Sequence, residues 1–122
     1  MKTLLIEDDK FFQKFYSTKL QENNISVDIA GDGEEGLLKI KSSKPDLIML
    51  DLIMPKMDGF AFLAARSQDK NLKKIPVVVF STLGQEKDIA KARELGANSY
   101  INKSFFDFSN VIKTINQVMK SG

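Results

Sequence analysis

Cysteine, histidine and tryptophan are all absent from this chain of 122 residues. Without cysteine there is no disulfide, no thiolate nucleophile and no cysteine-held metal. Without histidine there is no imidazole general base, no histidine-held zinc and no phosphohistidine donor. Much of enzyme chemistry is excluded by those two zeros. An excess of one charge is lacking too: 18 basic and 16 acidic residues leave a net charge of +2, with no basic run or arm, so no nucleic-acid partner is expected. Nor does any apolar stretch approach the roughly 20 residues needed to span a bilayer, and the N-terminus enters a strand pattern without a signal-peptide layout. No membrane partner is expected, and the default compartment is cytoplasmic.

What is present is 43% hydrophobic and 28% charged, enough for one globular domain over residues 1–122 that buries roughly two-thirds of its unfolded surface. Lys2 to Glu7 reads as a strand, and Phe11, Phe12, Phe15, Tyr16 and Leu20 recur at helical spacing from about Lys10 to Glu22. Ile25 to Ala30 alternates as a second strand, and Asp32 with Glu35 forms a capping-box pattern opening a helix through about Ser42. Asp46 to Leu50, led in by Pro45, is a strand apolar on both faces. Asp58 and Gly59 open a helix to about Arg66, and Ser67 to Lys74 is a loop. Pro76 admits the strand Val77 to Phe80, a helix spans about Gln85 to Leu95 before Gly96, and Ser99 to Asn102 is the fifth strand. Asp107 to Met119, with Val111, Ile112, Ile115, Val118 and Met119 on one face, closes the chain as an amphipathic helix. Strict (βα)5 alternation predicts an α/β fold: a parallel sheet with right-handed crossovers and helices on both faces.

That architecture gathers the chemistry at one edge. Glu7, Asp8 and Asp9 follow the first strand, Asp51 the third, Ser81 and Thr82 the fourth, and Lys103 the fifth. Each falls at a strand's carboxyl end, where open α/β sheets bind ligands. Clustered carboxylates raise one another's pKa unless a cation neutralises them, and Mg²⁺, which keeps several waters, suits a site of two or three carboxylates. Asp9 and Asp58 read as helix caps, whereas Glu7, Asp8 and Asp51 read together as the site. Lys103, leaving an apolar strand toward this cluster, reads as its counter-charge.

These residues resemble the receiver domain of bacterial two-component response regulators, of the single-domain chemotaxis-regulator type. The likeness rests on Leu5-Ile6-Glu7-Asp8-Asp9, Pro45 through Asp51, Met54-Pro55, Met57-Asp58-Gly59, Pro76-Val77, Ser81, Gly96-Ala97, Tyr100 and Lys103, and it spans essentially the whole chain. The resemblance implies a flavodoxin-like five-stranded parallel sheet of order 2-1-3-4-5. It implies that Asp51 is a phosphoacceptor, taking a phosphoryl group from a sensor histidine kinase or histidine phosphotransfer protein. Asp8, Asp51 and the Ile53 backbone carbonyl would then hold Mg²⁺, with Glu7 holding a metal-bound water. Lys103 and Ser81 would contact phosphoryl oxygens, and Ser81, Thr82 and Tyr100 would form the switch. A downstream protein target would read the face of the fourth helix, fifth strand and fifth helix. The protein would be a monomer or a weak phosphorylation-dependent dimer, and not an enzyme beyond slow self-dephosphorylation. Among the helix-one aromatics Phe11, Phe12 and Phe15, most would be core and some would face the kinase.

The chain departs from that family's pattern at Ser104, where receivers commonly carry a proline after a cis bond; a trans bond is expected here, since cis before a non-proline costs about 3 kcal/mol or more. Phe105 and Phe106 precede the last helix, one expected in the core and the other on the output face. Thr82 stands where alanine is usual, and its branching is expected to crowd Tyr100 and damp the switch. Ile53 and Leu83, two residues beyond Asp51 and Ser81, are apolar at positions that flank the hydrolytic water, so slow phosphate loss is expected. Ile53 also argues against the competing reading of a Mg²⁺-dependent phosphatase or phosphotransferase of related α/β fold, which places a second aspartate there. Met1 and a self-completing last helix favour a single-domain regulator over a receiver fragment of a larger one.

Overall fold

The computed structural model describes residues 1–103 and 107–121. Five strands and five helices alternate: β1 Lys2–Ile6, α1 Lys10–Glu22, β2 Ser26–Ala30, α2 Gly33–Ser43, β3 Leu47–Leu50, α3 Gly59–Ser67, β4 Val77–Ser81, α4 Glu86–Glu94, β5 Ser99–Asn102 and α5 Phe108–Ser121. The strands pair in parallel in the order β2-β1-β3-β4-β5. This is the flavodoxin-like arrangement that the resemblance implies. The element the sequence reading lacked is a 3₁₀ turn, Leu72–Lys74, inside the expected loop. Three residues are too few to show a period. Asp69 caps the turn by accepting from the N–H of Asn71 and Leu72, and Arg66 holds it to α3 by donating Nη2 hydrogen bonds to the Lys73 and Ile75 carbonyls at 3.0 and 2.6 Å.

Two cores, one on each face, follow from strand alternation. Leu4, Ile6, Ile48, Leu50, Val77 and Val79 face one way, packing with Ile40 of α2, Phe62 and Leu63 of α3 and Ala92 of α4. Leu5, Leu47, Met49, Val78, Phe80 and Ile101 face the other, against Tyr16 and Leu20 of α1 and Val111 and Ile115 of α5. Each fully buried aliphatic or aromatic side chain contributes roughly 1.5–3 kcal/mol, so the alternating strands dominate the stability of the sheet. The helix-one aromatics split: Tyr16 is buried and Phe12 and Phe15 half-buried, but Phe11 is 69% exposed. Helical spacing put Phe11 beside the core without placing it inside.

The expected caps form. Asp9 accepts from the N–H of Phe11 and Phe12, and Asp58 from that of Ala61. Asp32 accepts from Glu35 N–H at 2.9 Å, while the Glu35 carboxylate reaches Gly31 N–H, one residue before the cap, instead of the cap's own N–H. Gly59 matters beyond starting α3. A Cβ there would lie 2.5 Å from the Asp51 carbonyl oxygen and 2.7 Å from Leu52 Cα, so only glycine lets α3 close against the end of β3. The bond between Lys103 and Ser104, and Phe105 and Phe106, lie outside the described residues. Among the described residues, no helix is long and apolar enough to cross a membrane.

Candidate functional site

Sheet hydrogen bonding runs one residue past the strands and so aims three side chains at one place. Glu7 N–H donates to Ala30 O at 2.9 Å, Asp51 N–H to Ile6 O at 3.0 Å, and Lys103 N–H to Ser81 O at 2.9 Å. The three residues therefore inherit the rigidity of the sheet while their side chains project beyond it.

At that edge the Lys103 ammonium donates to Glu7 Oε1 and lies 3.6 Å from Asp51 Oδ2. All three residues are buried, with Glu7 0%, Asp51 5% and Lys103 8% exposed. The second Glu7 oxygen accepts from Asp9 N–H at 3.1 Å, and the Glu7 carbonyl accepts from the Gln13 amide at 2.6 Å. Asp51 Oδ1 accepts a long 3.4 Å bond from Ile53 N–H. Asp8 is exposed at the rim, yet oxygens of Glu7, Asp8 and Asp51 lie within 4.8 Å of one another.

Burial opposes ionisation of the carboxylates, and one ammonium does not offset it. Desolvation pushes the Glu7 carboxyl up to about 7 despite its bond to Lys103. Asp51 is also raised, again chiefly by desolvation, with Lys103 pulling the other way. Three acids facing one lysine form a cluster of hard oxygen donors short of positive charge, which suits a hard divalent cation.

Ser81 is buried beside this pocket, and its hydroxyl accepts from Leu83 N–H at 3.2 Å. Tyr100, half-buried against the core on the same side, donates its hydroxyl to Leu83 O at 2.6 Å. Burial raises the Tyr100 phenol, and the neighbouring Ser81 hydroxyl offsets part of that rise. Thr82, expected to crowd Tyr100, is exposed.

The structure thus brings Glu7, Asp8, Asp51 and Lys103 into one pocket and sets Ser81 and Tyr100 about one residue, Leu83. Sequence reasoning missed the Leu83 backbone as their junction, because a backbone group carries no residue-type signal. It also missed Gln13, which ties α1 to the Glu7 carbonyl, and the rings of Phe12 and Phe80, whose centroids lie 4.2 and 4.7 Å from the Lys103 ammonium.

A parallel α/β sheet carrying an acidic pocket and a buried lysine at its carboxyl edge defines the class of protein. Residues 3–116 match the family model of the response regulator receiver domain. The chain belongs to that family. It is 31% identical over 120 residues to protein PilH of Pseudomonas aeruginosa, covering 98% of each chain. It is also 36% identical over 102 residues to the DNA-binding dual master transcriptional regulator RpaA of Synechocystis sp., covering 84% of this chain and 42% of that protein. The chain spans less than half the length of RpaA and several other curated relatives, down to 29% for a Myxococcus xanthus protein-glutamate methylesterase/protein-glutamine glutaminase. Among solved structures, the receiver domain of the Francisella response regulator 1452 aligns with TM-score 0.88 at 31% identity, covering 98% of this chain and 97% of that one. Chemotaxis protein CheY4 of Vibrio cholerae aligns with TM-score 0.89 at 28% identity, covering 96% and 97%. The receiver is a signalling domain of two-component systems, and the methylesterase relatives extend well beyond it.

Proposed function

We propose that this receiver accepts a phosphoryl group onto Asp51 from a phosphohistidine of a sensor histidine kinase or histidine phosphotransfer protein. It then signals through protein contacts on the face of α4, β5 and α5. The observation that carries the reading is the Lys103 ammonium, buried 3.6 Å from the Asp51 carboxylate in a pocket shared with Glu7 and Asp8.

Mg²⁺ fits this donor set: every group is an oxygen, and two of the three carboxylates are buried where they resist ionisation without a cation. Asp8, Asp51 and the Ile53 carbonyl would hold it, with Glu7 binding one of its waters. When bound it supplies positive charge against the phosphoryl oxygens. In the transfer, an Asp51 carboxylate oxygen forms a bond to phosphorus as the bond from phosphorus to the imidazole nitrogen breaks, and the freed imidazole takes its proton from solvent. Lys103 exchanges its hydrogen bond with Glu7 for one with a phosphoryl oxygen. Such fixed charges act mainly by positioning and by neutralising the equatorial oxygens.

Ser81 accepts from Leu83 N–H, and its hydroxyl also carries a proton that can turn toward a phosphoryl oxygen. Movement of Ser81 toward that group draws on Leu83, to which Tyr100 is bonded, and so reaches β5. The phosphoryl contacts favour one of two states of this unit.

The test is incubation with acetyl phosphate and Mg²⁺, followed by intact-protein mass measurement. One added phosphoryl group is expected, lost in Asp51→Ala and on chelation of Mg²⁺; no addition to the wild-type protein would overturn the reading.

A further inference from the structure

We infer that Phe12 is a positioning residue for the Lys103 ammonium: its ring and that of Phe80 wall the cation in, so that it faces Asp51 instead of water. This rests on the phosphoacceptor reading and adds to it a residue of α1 that has no acid, base or ligand role of its own.

The Lys103 side chain is only 5% exposed, and an ammonium offers three donors that must be satisfied or covered when water is excluded. One donor goes to Glu7, and Asp51 Oδ2 at 3.6 Å is attractive but beyond hydrogen-bond length. The ring centroids of Phe12 and Phe80, at 4.2 and 4.7 Å, lie within the range in which the negative face of an aromatic ring attracts a cation. Two rings on a desolvated lysine replace lost water in a way that aliphatic side chains of the same bulk do not.

Both rings are themselves held. Phe80 is 0% exposed, and its ring lies 4.8 Å from that of Tyr16. Phe12 sits in the first turn of α1, fixed by its N–H to the Asp9 cap and by ring contacts to Phe11 at 5.4 Å and Tyr16 at 6.1 Å. A ring face is also a non-directional partner. The ammonium can shift from Glu7 toward oxygens on Asp51 without breaking a directional bond to either ring, whereas a hydrogen-bonding wall would hold it back.

Phe12 is the residue to test, because it is half-buried and Phe80 belongs to the core. Phe12→Leu keeps apolar cover and removes the π face; Phe12→Tyr keeps the face. In the Mg²⁺-free protein, ring currents should place the Lys103 ε-methylene protons upfield of an ordinary lysine, and Phe12→Leu should move them back toward it. With Mg²⁺ present, Phe12→Leu should weaken beryllofluoride binding about thirtyfold, the size of a desolvated cation–π contact, while Phe12→Tyr restores it and Mg²⁺ affinity alone stays the same. Unperturbed ε-methylene shifts in the wild-type protein would overturn the inference without any variant. So would wild-type beryllofluoride affinity in a Phe12→Leu protein whose amide spectrum shows it folded. Absence of beryllofluoride binding by the wild-type protein would instead overturn the phosphoacceptor reading, and the ε-methylene shifts would still decide the role of Phe12.

Discussion

Tyr100 donates its hydroxyl to the Leu83 carbonyl at 2.6 Å, and the N–H of the same Leu83 donates to Ser81 at 3.2 Å. One backbone residue therefore links the serine beside the acidic pocket to an aromatic side chain of β5. A change at either end must strain or break a bond at the other.

Tyr100→Phe removes the donor and leaves a part-buried carbonyl unmatched. The expected loss of stability is about 1 kcal/mol, measured by urea unfolding. The larger effect is expected in coupling: with beryllofluoride bound, amide shift changes in α4 and β5 should shrink while those beside Asp51 persist. Full-size changes in α4 and β5 would show that the signal leaves the pocket by another route.

Glu7 gives the Mg²⁺-free protein a particular pH dependence. Its carboxyl rises from the usual 4.5 to about 7, mainly by desolvation. Between those values the folded state holds a proton that the unfolded state has released, so stability is full below the lower value and falls as pH rises toward the upper one. At about 1.4 kcal/mol per unit, the loss is at most roughly 3 kcal/mol. Urea unfolding in chelator from pH 4.5 to 8 should show this decline, and Glu7→Gln should flatten it. Saturating Mg²⁺ should also flatten it, because a cation favours the ionised form. Stability that rises across this window in chelator would contradict the assignment.

The strands and the pocket were legible because both follow from short-range rules. Short apolar runs in strict alternation with helical segments assigned the sheet, and a charged residue just past Ile6, Leu50 or Asn102 had to emerge at its edge. Asp9 and Asp58 were separable from the pocket acids because each begins a helix and serves it as a cap. The pocket's aromatic walls were not legible. Phe12 and Lys103 are 91 positions apart by their numbers, and nothing in a run of phenylalanines says which ring will lie over a cation. Arg66 looked like an ordinary basic residue ending a helix, and its burial depends on carbonyls supplied by a turn with no sequence period of its own.

Phosphate loss is expected to be slow. On the phosphoacceptor reading, Ile53, 53% exposed, and the part-buried Leu83 would flank the path of an attacking water, and neither side chain could orient it by a hydrogen bond. A half-life of minutes or longer is expected when phosphoryl mass is followed after the donor is removed, with Ile53→Gln shortening it several-fold. Loss within seconds from the wild-type protein would contradict this.

Gly59 and Gly31 offer a matched pair that separates steric closure from general loop sensitivity. A Cβ at Gly59 would meet backbone, 2.5 Å from the Asp51 carbonyl oxygen, whereas one at Gly31 would lie 3.5 Å from the end of the Glu35 side chain. Backbone cannot yield as a side chain can, so Gly59→Ala must push α3 away from the end of β3 or displace Asp51 itself. The expected cost is about 1–3 kcal/mol, the usual range for overpacking, with Mg²⁺ affinity falling as Asp51 and the following Ile53 carbonyl lose their placement. Gly31→Ala should leave Mg²⁺ affinity unchanged and alter stability by less than about 1 kcal/mol. Paired Mg²⁺ titrations and urea unfolding of the two variants check this. Equal effects at both positions would mean that the contact between Gly59 and Asp51 does not set the geometry of the pocket.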